Sequence, residues 1–66
     1  MPIYPDAFCA VSIDLQGQHF DGRYRVSGAS VIAYFRDQVK AAPLDESVPI
    51  DRLAQWLLHD MAIRAR

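Results

Sequence analysis

The sequence predicts an α+β domain, an antiparallel β-meander of three or four strands packed on one face by a single C-terminal helix. Three observations lead there. Apolar and polar residues alternate with period two from Cys9 to Val26, apart from one Gln-Gly-Gln break. Residues 48–64 follow the helical period instead, with Ile50, Leu53, Ala54, Leu57, Leu58 and Met61 on one broad stripe and Arg52, Gln55 and His59 on the far side. The 66 residues hold one domain at most, without an internal repeat or a low-complexity tract.

Taken in order, Pro2 and Pro5 make residues 1–6 an extended lead-in, because each fixes its own φ and turns its predecessor away from helix. A first strand spans about residues 8–16, with Cys9, Val11, Ile13 and Leu15 on its apolar face. Gln16-Gly17-Gln18 is the turn into a second strand over 18–27, where Phe20, Gly22, Tyr24 and Val26 keep one phase. Gly22, between two aromatics on that face, admits either a bulge or the close approach of the helix. A rival reading makes Asp21-Gly22 a hairpin turn and splits the stretch. The longer strand is favoured because it preserves the phase.

Ser27-Gly28-Ala29-Ser30 breaks the chain again. Residues 31–42 fit a helical stripe almost as well as a strand pair, and residue type decides. Val31-Ile32-Ala33-Tyr34-Phe35 is rich in β-branched and aromatic residues, which favours a strand over 31–36, a turn at Asp37-Gln38 and a short strand over 39–42 that Pro43 ends. The helix over 48–64 has Ser47 as its expected N-cap, Pro49 in its first turn, Asp51 near its positive end and Arg64 near its negative end.

Size then bears on assembly. A core in a chain below about 70 residues seldom supplies more than ~3–5 kcal/mol, so small domains turn to disulfides, metals or oligomerisation. Cys9 has no second cysteine in the sequence, and His19, His59 and Cys9 lack the spacing of a zinc site. No cofactor is implied. Oligomerisation is the remaining route, and a homodimer is the expectation. A net charge of −1 offers no global field for nucleic acid or an anionic membrane, no apolar run approaches the ~20 residues of a membrane span, and no export signal opens the chain. A cytoplasmic location is therefore expected.

The stretch Gly22-Arg23-Tyr24-Arg25-Val26-Ser27-Gly28, then Val31-Ile32-Ala33, then Leu53-Ala54-Gln55-Trp56-Leu57-Leu58, resembles short bacterial proteins of unknown function made of a β-meander and one helix. Those proteins run Gly-x-Tyr-x-Val-x-Gly, then a hairpin, then Leu-Ala-x-x-Leu-Leu. The resemblance implies the fold and carries no chemistry, since its shared positions are turn glycines and core leucines. This chain departs from the pattern at Asp37-Gln38, where a glycine-containing turn is expected.

Candidate functional residues fall in three groups. His59, Asp60 and the serines Ser12, Ser27 and Ser30 are the residue types of a hydrolytic triad, but neighbours on a helix point about 100° apart and no nucleophile elbow is present, so no enzyme is expected. Cys9 reads as a small core residue. Arg23 and Arg25 on the polar face of the second strand, with Arg36 and Lys40 in the next hairpin, make a basic stripe that suits weak nucleic-acid binding, although Asp14, Asp21 and Asp37 are interspersed.

Trp56 and Ile63 are the most informative pair. They lie seven apart, roughly 120–150° from the centre of the apolar stripe, and so remain near its edge or in solvent, with Arg52 and His59 as a polar margin. Such a patch fits a protein-interaction or regulatory module that binds a partner or itself. The alternative tucks Trp56 over the sheet rim near Tyr4 or Phe8. Two low-charge runs, Phe8-Cys9-Ala10-Val11 and Val31–Phe35, offer strand edges as a second route to self-association.

Overall fold

The structure is a computed structural model and describes residues 8–64. The proline lead-in expected over residues 1–6 lies outside them. Strands β1 (Cys9–Leu15), β2 (Gln18–Ser27), β3 (Ser30–Phe35) and β4 (Gln38–Pro43) form one antiparallel sheet in the order β1-β2-β3-β4, and helix α1 (Ile50–Arg64) packs against all four on one face. The strand reading of residues 31–42 therefore holds. β2 runs unbroken through Asp21 and Gly22, so the split-strand alternative does not.

Register explains why. Val11 pairs with Gly22, Ile13 with Phe20, Tyr24 with both Cys9 and Ala33, and Val31 with Val26 and Ala42, so one parity of every strand faces the helix. Val11, Phe20, Val31, Ala33 and Phe35 from the sheet close on Leu53, Ala54, Leu57, Leu58, Met61 and Ala62 from α1. Phe20 and Phe35 meet edge to face with ring centroids 5.9 Å apart. At Gly22 the close approach replaces the bulge: a Cβ there would lie 3.0 Å from Leu58 Cδ1 and 2.8 Å from the Tyr34 carbonyl oxygen.

The hairpin loops are two residues long. Gln16 and Gly17 both take positive φ, 52° and 79°, the geometry whose twist matches flanking strands. The last loop corrects the expected turn by one residue: it is Arg36-Asp37, and Gln38 already pairs with Phe35. Arg36 takes a φ of 57° without being glycine, which costs about 1–2 kcal/mol. Its guanidinium lies 4.8 Å from the Phe35 ring centroid, a contact worth about 0.5–1 kcal/mol that offsets part of the strain.

The helix start also differs. Ser47 is not the N-cap: its N–H and hydroxyl both donate to Asp45 Oδ1, at 2.9 and 2.7 Å, in a side-chain turn that holds the Asp45 carboxyl below its ordinary range. Pro49 turns Val48 away from helical geometry, so α1 begins after it, and the Pro49 carbonyl accepts from Leu53 at 3.1 Å. Asp51 and Arg64 occupy the first and last turns as expected. Ile50 and Cys9, both expected in the core, are exposed. Each begins its element, and Cys9 lies on an edge strand beside Tyr24.

Candidate functional site

Two surfaces carry the residues singled out from the sequence, and they lie on opposite sides of the molecule. The first is the back of α1. At about 100° per residue, Arg52, Trp56, His59 and Ile63 fall within about 60° of one another, opposite the stripe that meets the sheet. All four are exposed, Trp56 by 54% and Ile63 by 48%. Of the two placements expected for the pair, the edge of the buried stripe or solvent, it takes the second, with Arg52 and His59 beside it. Trp56 does not tuck against Phe8, because Phe8 belongs to the other side of the sheet; Tyr4 lies outside the described residues.

The second surface is the helix-free face of the sheet. Arg23 and Arg25 alternate along β2 on this face, and Tyr34 of β3 pairs directly with Arg23. The Arg25 Nε donates to the Tyr34 hydroxyl at 3.0 Å. Phe8 joins them, its ring set edge to face against Tyr34 at 5.2 Å, with the Arg23 guanidinium 5.2 Å from its centroid. A shallow depression of about 240 Å³ opens beside them, lined by Asp21, Gly22, Arg23, Tyr34 and Arg36. Strand parity extended one residue before Cys9 puts Phe8 on this face, a signal the basic stripe of the sequence did not include.

Lys40 is not part of this face. It pairs with Ala33, which points to the helix, and its ammonium bonds Asp60 on α1. Arg64 Nε reaches the same Asp60 oxygen at 3.4 Å. Asp60 is therefore held below the usual carboxylate range, chiefly by the Lys40 hydrogen bond. His59, one residue earlier, points to the back of the helix, while Ser12, Ser27 and Ser30 belong by register to the helix-free face. The triad residue types are thus dispersed over the molecule.

Near the turn of the β1–β2 hairpin, His19 bridges two carboxylates. Its Nδ1 lies 2.9 Å from Asp14 Oδ1 and its Nε2 2.9 Å from Asp21 Oδ1. Both bonds favour the doubly protonated ring, and they raise the His19 pKa above its ordinary value, the Asp14 bond most. Among the described residues, no group of three or more His, Cys, Asp and Glu side chains is arranged to hold a metal ion. Nor is any described helix long and apolar enough to cross a membrane. Neither family models, curated proteins nor solved structures match the chain.

Proposed function

We propose that this protein is a small non-enzymatic interaction module that acts as a homodimer, pairing through the back of α1. One observation carries the reading: Trp56 and Ile63 stand about half exposed on a single helical stripe that the protein's own sheet does not use. Tryptophan is enriched among the few residues that dominate interface energies, and a polar margin like that of Arg52 and His59 suits an interface rim. A twofold axis across the helix sets the same stripe against itself, the simplest closed assembly.

The strand-edge route has weaker support. Val31–Phe35 forms β3, which is paired on both sides and has no free edge. Of the two edges among the described strands, β4 carries Lys40 and Pro43, residues that discourage further pairing, and β1 carries neither. The reading extends to a reducing, cytoplasmic setting, supported by the exposed thiol of Cys9, and to a place among short bacterial proteins of the same architecture.

Trp56 is the sole tryptophan in the sequence, so its fluorescence reports the proposed contact directly. On dilution the emission should shift to the red as dimers separate. An emission maximum that is fully red-shifted and unchanged at every concentration would refute the helix contact.

A further inference from the structure

We propose that the helix-free face of the sheet is a binding platform for single-stranded nucleic acid, with Phe8 and Tyr34 stacking against bases and Arg23 and Arg36 meeting phosphates. This goes beyond self-association and uses the opposite side of the molecule. Single strands are held by aromatic rings that accept any base, together with cations that follow the backbone. The structure brings both together. The Phe8 ring is 47% exposed and braced edge to face by Tyr34, whose hydroxyl is held in place by Arg25. Arg23 lies over Phe8, and a guanidinium plane is itself a surface on which a base can stack.

The depression beside these rings favours the same ligand. At about 240 Å³ it is smaller than the roughly 300–1,000 Å³ of small-molecule clefts, so it admits a phosphate or the edge of one flat ring, and Arg23 and Arg36 both line it. Three carboxylates oppose an anion here. Asp14 and Asp21 are both bonded by His19, which draws their charge away from the arginines, and Asp37 stands in the Arg36 turn. The balance favours weak, salt-sensitive binding. An acidic peptide would satisfy the arginines but make no use of the stacked rings.

The test is fluorescence anisotropy of labelled oligouridine and oligothymidine with the full chain at increasing salt. Binding at low salt should fall with a slope of about −1.4 in log affinity against log salt, as expected for two phosphates neutralised on a single strand. Phe8→Ala, at an exposed side chain, should weaken binding by about fivefold or more. Arg23→Gln should weaken it severalfold and, combined with Arg36→Gln, by more than tenfold, whereas Arg64→Gln, which removes one charge as Arg23→Gln does but at the end of α1, should leave it within about twofold. Circular dichroism confirms that each variant folds. The proposal is overturned by no binding at low salt, by polyglutamate competing as well as oligouridine, or by Arg64→Gln costing as much as Arg23→Gln.

Discussion

Lys40 and Asp60 tie the outer strand β4 to the helix, each side chain about 40% exposed at the margin where the two elements meet. This pair takes Lys40 away from the basic face and gives the fold a pH-sensitive clamp. Asp60 titrates below its unfolded value, with the Lys40 hydrogen bond as the largest cause and Arg64 adding to it. A depressed carboxylate contributes stability that is present above its unfolded pKa and is lost as pH falls through the folded pKa. Asp60→Asn should therefore lower the neutral-pH urea midpoint by a small amount, the pair being well solvated, and flatten the acid limb by that same amount, because the protonated carboxyl already lacks the contribution at low pH. An acid limb as steep as in the parent would contradict this role.

His19 works in the opposite sense. Its folded pKa is raised, first by the Asp14 bond and then by Asp21, so its contribution to stability is complete below the unfolded pKa near 6.5 and fades as pH rises through the folded value. Titration followed by NMR should show His19 above the ordinary histidine range. Asp14→Asn and Asp21→Asn should each bring it down. Equal values in the parent and in both variants would mean that the two bonds do not form in solution.

Gly22 lies close against the helix. A methyl group there meets the Tyr34 carbonyl, which belongs to the backbone and cannot swing aside, as well as the more flexible end of Leu58. Gly22→Ala should cost about 1–3 kcal/mol, an overpacking penalty. In a domain of this size each kcal/mol lowers the thermal midpoint by roughly 4–8 °C, measured at one fixed protein concentration. A midpoint at or above the parent's would show that the helix can retreat at no cost.

Much of this architecture was legible because the period-two runs and the helical stripe are written in side-chain type, which local geometry obeys. Phe20, Tyr24 and Val26 kept β2 whole through a glycine that might have read as a turn, and β-branched and aromatic residues settled β3. The misplaced details depend on contacts that residue type alone does not specify. The last turn formed at Arg36 because pairing Phe35 with Gln38 closes the hairpin, even at the expense of a left-handed arginine. Parity alone sends Cys9 inward, but at the start of an edge strand it is left exposed. Lys40 was grouped with Arg23, Arg25 and Arg36 by charge and nearness, although its pairing with Ala33 turns it to the helix side. On α1 the spacing of Arg52, Trp56, His59 and Ile63 needed only the helical period, so that surface was readable at once.

The central claim is that Trp56 and Ile63 close a dimer. A standard interface hides about 800 Å² per partner, about a sixth of this protein's 4705 Å² surface, so one helix face yields a modest contact that dilution can dissociate. Size exclusion with light scattering, run over a dilution series on the parent and on Trp56→Ala with Ile63→Ala, reads it directly. The account predicts a parent mass that falls from dimer toward monomer on dilution, and a variant that is monomeric throughout with an unchanged circular dichroism spectrum, since both side chains lie outside the core. A parent that is monomeric at every concentration, or a variant that dimerises as well as the parent, would contradict it.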